Sequence, residues 1–204
     1  HLPAGPLFYG NYSLSLRKTY RRNEMRIVDF KDTSGAVREK VWRLYEESFP
    51  AHERRSLTAQ EQAFADCRAR SKVMLDDEGE VMALVFYWLY AGMVYVEFLA
   101  VNPAMRGRNI GSGVVERLLE LYPGKLVILE IEPPQEEMAV RRLHFYERLG
   151  FVRNPYNYIH PSYRKGTDAC PHELVLMSHG RIATEKEFSG FTEFMREVIW
   201  EYAD

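Results

Sequence analysis

The sequence predicts an α/β chain of the α+β kind: a mixed, mostly antiparallel central sheet flanked by helices, with an appended C-terminal amphipathic helix. Three observations lead there. Strand-like runs at residues 72–76, 81–90 and 93–101 follow one another with only the turn pairs Glu78-Gly79 and Ala91-Gly92 between them, which calls for antiparallel hairpins. Farther along, helical periodicities alternate with runs at 126–131, 151–159 and 173–177, and helices between strands make parallel crossovers. Finally, residues 184–202 place Phe188, Phe191, Phe194, Met195, Val198, Ile199 and Tyr202 on one helical face, with Glu185, Glu187, Glu193, Glu197 and Glu201 opposite.

The first strand is expected at 25–30. Asp32, Thr33 and Ser34 offer N-caps to a helix whose Val37, Val41, Leu44, Tyr45 and Ser48 share a face, and Pro50 stops it. Thr58 and Glu61 read as a capping box for a second helix reaching about Ala69. A third helix carries Val114, Val115, Leu118, Leu119 and Tyr122, and a fourth carries Leu143, Tyr146 and Leu149.

At 204 residues the chain suits one domain, assigned to 25–180, preceded by an extension at 1–24 and followed by the helix of 181–204 packed on it. With 46% apolar and 27% charged residues it reads as a globular protein that needs no membrane. A net charge of −2 argues against general nucleic-acid binding, and Arg17, Lys18, Arg21, Arg22 and Arg26 read as solvated charge. Residues 1–24 lack an apolar core followed by a cleavage site, so they are not read as a signal. Cys67 and Cys170 fit neither a disulfide framework nor a four-ligand metal site, even with His172 beside the second, so a reducing cytoplasm and no metal are expected.

The most informative stretch is 101–112, Val-Asn-Pro-Ala-Met-Arg-Gly-Arg-Asn-Ile-Gly-Ser, which joins an apolar strand to an apolar-faced helix through glycines and arginines. The first N–H groups of a helix have no intrahelical partner and sit at its positive end, so a diphosphate can lie across them. Gly107 and Gly111 permit close backbone approach, and Asn109 tolerates positive φ.

This run resembles the coenzyme A pyrophosphate loop of the GNAT N-acetyltransferase superfamily, with Arg106, Asn109 and Gly111 on its marked positions. A second stretch, 141–151, resembles that superfamily's later helix, which ends in Tyr-x-x-x-Gly-Phe, here Tyr146 to Phe151. Two motifs in the right order are more specific than either alone. The pattern departs at Asn109, which replaces a glycine, and at Ala139, where the superfamily often has an asparagine that contacts the pantetheine arm. The resemblance implies acetyl-CoA as acyl donor and a primary amine, on a small molecule or a peptide, as acceptor. It implies direct attack in a ternary complex, Tyr146 as general acid, and backbone N–H groups near Leu99, Ala100 and Val101 for the oxyanion. The cofactor would lie on Arg106, Gly107, Arg108, Asn109, Ile110, Gly111 and Ser112, with Arg141 and Arg142 as further phosphate ligands in place of the missing asparagine.

For the base, Glu97 is expected to share a strand face with Tyr95, Leu99 and Val101, where apolar neighbours raise a carboxyl's pKa toward useful base strength. Glu130 competes for the role. Glu132, beside Pro133-Pro134, reads better as the partner of an arginine. Acceptor recognition is assigned to the loops 49–55 and 160–166, with Glu53 for an ammonium and Arg54, Arg55, Arg164 and Lys165 for a carboxylate or phosphate. The other reading is a noncatalytic acyl-CoA-binding sensor or scaffold. Assembly into a homodimer is left open by the amphipathic C-terminal face.

Overall fold

A seven-stranded sheet forms the centre of the chain in a computed structural model that describes residues 25–204. The extension at 1–24, with most of the basic run, lies outside the described residues. After β1 (Arg26–Asp29), the helix α1 (Gly35–Ser48) starts where the Ser34 hydroxyl accepts from the Val37 N–H, and it ends before Pro50. The helix α2 (Leu57–Phe64) is capped by Ser56, which accepts from the Ala59 N–H. The expected Thr58–Glu61 box is therefore not the cap, because the serine two residues earlier already takes that role. The helix also ends well short of Ala69, since Ala69 begins a strand.

That strand, β2 (Ala69–Leu75), continues into β3 (Val81–Tyr90) and β4 (Met93–Val101) as an antiparallel meander with β1 on its edge. The crossover α3 (Ile110–Leu121) then brings β5 (Leu126–Ile131) parallel to β4. Beyond α4 (Glu137–Arg148), the run expected at 151–159 is broken into β6 (Phe151–Arg153) and the short β7 (Ile159–His160). The physical reason lies in Asn154 and Pro155. Proline has no N–H to continue a ladder, and the Asn154 amide turns inward, donating to Ser178 Oγ at 2.8 Å and accepting from the Ala183 N–H at 2.8 Å. β7 instead pairs with β8 (His172–Glu173) in a separate two-stranded sheet, while β9 (Val175–His179) inserts between β5 and β6, giving the order β1-β2-β3-β4-β5-β9-β6.

Two features position the site. First, β4 carries a bulge. Phe86 faces Phe98 and Tyr87 faces Val96, so Glu97 is the extra residue. Alternation expected across the strand is reset there: Tyr95, Phe98 and Ala100 pack on the side of α1 and the C-terminal helix, whereas Leu99 and Val101 join the side of α3 and α4. Glu97 therefore does not share a face with Leu99 and Val101. Second, β4 and β5 pair only from Met93–Leu126 to Val96–Leu129. Past that point β5 stays paired with β9 on its other edge but no longer with β4, and a cleft opens between the two parallel strands.

The C-terminal segment is integral to one of the two cores. Its helix α5 (Glu185–Phe194) opens with a Thr184–Glu187 capping box and runs on through a π turn (Met195–Ile199) and a 3-10 turn (Trp200–Tyr202). The Phe194 ring stacks on Tyr90 at 4.5 Å and meets Trp88 at 5.9 Å, and Phe191 meets Tyr95 at 5.2 Å. Among the described residues no helix is long and apolar enough to cross a membrane. Truncating a buried Phe typically costs ~3–5 kcal/mol, so Phe194→Ala is expected to lower unfolding stability in urea by that amount. A shift below about 1 kcal/mol would show that the helix is an accessory to the core.

Candidate active site

The cleft begins at the start of α3. Asn102 accepts from the Ala104 N–H and donates to the Val81 carbonyl, fixing the exit from β4. Gly107 then takes φ +78° and Asn109 takes φ +59°, both in the left-handed region, which turns the chain abruptly into the helix. Asn109 thus does what its substitution for glycine requires. Gly111 has an ordinary φ, and a Cβ there would lie 3.4 Å from Phe145 Cζ and 3.5 Å from Val101 Cγ2, in van der Waals contact, so only a side chain branching beyond Cβ would press on α4 and β4.

Arg106, Gly107, Asn109, Ile110, Gly111 and Ser112 line a groove of about 510 Å³ shared with Arg141, Arg142, Phe145 and Tyr146 of α4. The Ile110 side chain itself is buried in the core, leaving its backbone to the groove. Arg108 points to the opposite flank, into a cleft with Glu116 and Arg148. Of the two arginines expected to replace the missing asparagine, Arg141 is exposed and bonded to Glu137 at 2.6 Å, and Arg142 is ion-paired with Glu132. Ala139 is buried.

The groove continues into the opening between β4 and β5, a cavity of about 450 Å³ that includes Leu99, Ala100, Val101, Arg106, Glu130 and Tyr146. Successive N–H groups of a strand point to alternate edges, so β4 past Val96 turns some of its backbone donors toward this opening. Tyr146 lies where the two cavities meet, edge-on to Phe151 at 5.6 Å. Burial pushes its hydroxyl up to about 12, so it stays protonated at neutral pH.

The two candidate bases differ sharply. Glu97 is fully buried and ion-paired to the equally buried Arg55 at 2.8 Å, and it accepts from Trp88 Nε1 at 2.8 Å and the Tyr163 hydroxyl at 3.0 Å. Its carboxylate oxygens are thus already engaged. Glu130 has no arginine. It accepts from the Tyr95 hydroxyl at 2.6 Å, and burial pushes its pKa up to about 7 against the lowering influence of the Tyr158 and Tyr95 hydroxyls. Glu130 Oε1, the Tyr158 hydroxyl and His160 Nδ1 are all buried and make no hydrogen bond of ordinary geometry among the described residues, although Tyr158 lies close enough to Glu130 to lower its pKa. His160 Nε2 is 3.8 Å from Glu130 Oε2, and burial holds the imidazole down to about 3, hence neutral.

Beyond Glu130 the cavity narrows to a chamber of about 100 Å³ bounded by Phe49, Glu53, Phe98, His160 and His172. Both loops expected to meet the acceptor reach it, but their basic residues do not. Arg55 is internal. Arg54 donates to the Phe49 carbonyl at 3.0 Å, Arg164 pairs with Asp204, and Lys165 donates to the Glu201 carbonyl at 3.0 Å. Sequence reasoning missed Tyr95, Tyr158, Tyr163 and His160 as groups around the carboxylates. Only the loop position of His160 and Tyr163 hinted at them, because the pairing of β7 with β8 that brings them inward has no periodicity to reveal it.

A family model for the acetyltransferase (GNAT) family matches residues 36–151. No curated protein matches. Among solved structures, a protein of the same family from Bacteroides thetaiotaomicron superposes with a TM-score of 0.73 at 29% identity, covering 86% of this chain and 97% of that one. The ribosomal-protein-S18-alanine N-acetyltransferase of Escherichia coli gives 0.55 at 16% identity over 79% of this chain and 97% of its own. A spermidine N-acetyltransferase from Vibrio cholerae gives 0.55 at 13% identity over 76% and 93%. The last two show likeness of fold alone. With its matched domain spanning more than half its length, its strand-to-helix loop and the opening between two parallel strands, this chain belongs to the acetyltransferase (GNAT) family.

Proposed function

We propose that the protein is an acetyl-CoA-dependent N-acetyltransferase that passes the acetyl group to a primary amine by direct attack in a ternary complex. The observation that carries this reading is a continuous cavity from the α3 loop, past Tyr146, to a buried carboxyl with a pKa near 7. At one end the first-turn N–H groups of α3, with Arg106 beside them, suit a diphosphate. Acetyl-CoA fits the residues present: when bound it supplies the activated acetyl group, and its phosphates would rest on residues 106–112.

Glu130 is the base in this reading. Half-ionised near neutral pH, it accepts the proton of the entering ammonium, and the free amine attacks the thioester carbonyl. Oxyanion stabilisation falls to backbone N–H groups of 99–101 that face the opening. Tyr146, protonated and at the junction of the cavities, gives its proton to the departing thiolate. Glu97 instead serves as a positioning group, because its oxygens are engaged by Arg55, Trp88 and Tyr163. Arg142, tied to Glu132, shapes the wall rather than holding phosphate. A sensor or scaffold would not need a buried carboxyl with one open oxygen opposite the donor site.

Three outcomes test this. Gly111→Val forces methyls toward Phe145 and Val101, so coenzyme A affinity measured by calorimetry is expected to collapse, with stability falling by ~1–3 kcal/mol. A folded variant that binds normally would move the cofactor site elsewhere. Tyr146→Phe keeps the ring and is expected to lower kcat by ~10²–10⁴-fold with little change in coenzyme A affinity; full activity would make Tyr146 a packing residue. Because Glu130 must be ionised to act and its pKa is raised to about 7, kcat/KM is expected to rise with pH up to about 7 and then level. Glu130→Gln should remove that acidic limb, whereas its persistence there and loss in Glu97→Gln would return the role to Glu97.

A further inference from the structure

The acceptor chamber has a chemistry of its own, apart from the reaction. Its lining combines the apolar Phe49, Phe98, Ile131 and Leu174 with Tyr163, His172 and the Glu132–Arg142 pair. Both ends are acidic. At the inner end stands Glu130, whose side chain is 8% exposed and whose Oε1 has no partner, with neutral His160 beside it at 3.8 Å and its Nδ1 likewise unpartnered. Toward the rim stand Glu53, whose ion-pair contact is the exposed His52 at 3.4 Å, and the exposed Glu47.

The cations near the acceptor end are committed to other groups. Arg55 is held by Glu97, Gln60 and the Ile199 carbonyl, Arg142 by Glu132, and Arg54 by the Phe49 carbonyl and Glu46. Arg106 lines both the cofactor groove and the opening that holds Glu130, but not the inner chamber. Inside the chamber a free carboxylate or phosphate would therefore face glutamates, with the lining Arg142 already held by Glu132, and like charges juxtaposed in a partly desolvated site are costly. A small chamber with an apolar waist and acidic ends instead suits an unbranched chain with a cation at each end.

We propose that the acceptor is a small diamine or polyamine: one ammonium enters to Glu130 and His160, the aliphatic chain crosses between Phe49 and Phe98, and the second ammonium pairs with Glu53, assisted by Glu47. This rests on the N-acetyltransferase reading, in which the amine at Glu130 is the one acetylated. The bond formed is an amide at that nitrogen, the thioester bond breaks, and the ammonium's proton passes to Glu130. The second ammonium takes no part in bonding changes and acts only in recognition.

Three probes of equal chain length separate the possibilities: diaminobutane, butylamine and aminobutyrate, each followed by thiol release from acetyl-CoA with the full chain. One charge-assisted hydrogen bond predicts kcat/KM for diaminobutane at least about tenfold above butylamine, with aminobutyrate poorest. The preference should shrink at high ionic strength, and Glu53→Gln should bring the ratio toward one by raising KM for the diamine. Equal use of the diamine and monoamine, or preference for aminobutyrate, would overturn the proposal while leaving the acetyltransferase standing. Calorimetric titration of the three amines into the coenzyme A complex reads the same preference without turnover. Tighter diamine binding in a protein that releases no thiol would keep the diamine site and sink the acetyltransferase reading. Failure of the diamine to bind more tightly than butylamine there would overturn the proposal.

Discussion

The ion pair between Arg55 and Glu97 is the constraint around which the acceptor side of this molecule is built. Both side chains are fully buried, and burying two charges is costly unless the remaining hydrogen-bonding capacity is satisfied. Here it largely is. Trp88 and Tyr163 donate to the carboxylate, while the guanidinium reaches Gln60 on α2 and the Ile199 carbonyl at the end of the C-terminal helix, with the Tyr163 ring 4.8 Å away. One pair thus joins the α1–α2 connection, β3, β4, the C-terminal helix and the loop after β7. Removing one partner would strand the other charge, which is far more damaging than replacing both with apolar groups.

Because Glu97 is the extra residue of the β4 bulge, the same pair fixes where β4 changes face. Bulges increase local twist and end regular pairing, and β4 stops pairing with β5 one residue before it, at Val96. The cleft is a consequence. Two carboxylates on neighbouring strands then acquire different surroundings: Glu97 is locked against a guanidinium, while Glu130 has no cationic partner and burial raises its pKa to about 7 against the lowering hydrogen bonds of Tyr158 and Tyr95. Strand position made both plausible bases. Partners distinguish them.

That difference marks what could be read without coordinates. Apolar runs bounded by turn residues located β3, β4 and β5 to the residue, since Gly79, the Ala91-Gly92 pair and Gly124 mark where several of their ends fall. The loop at 106–112 was legible because glycine and asparagine announce left-handed backbone, as Gly107 and Asn109 adopt. The cap of α2, the break at Asn154 and the β7–β8 pairing were not, because each is decided by a single side chain or by partners distant in sequence. The face of Glu97 was misread for a related cause: a bulge inserts one residue without any local signature, and every assignment beyond it then changes sides. The arginines assigned to the acceptor were misplaced because composition reveals charge but not the carboxylate or carbonyl already waiting for it.

Buried polar groups in folded proteins nearly always find partners, and those that do not call for a reason. Buried Asn154, distant from the cleft, follows the rule: it satisfies both ends of its amide through Ser178 and Ala183, and the Ser178 hydroxyl goes on to the Arg181 carbonyl. Around Glu130, by contrast, a carboxyl oxygen, a phenol and an imidazole nitrogen are left unpaired within one small region. Each unmet group costs stability on the order of 1–3 kcal/mol. The arrangement is unfavourable as a packing solution and favourable as a receptor, since a nitrogen bearing several N–H groups can satisfy acceptors that the protein leaves open. In the proposed reading, the hydrogen-bonding capacity left open by this cluster is what an entering amine would use, located where the opening between β4 and β5 gives access from the groove beside α3.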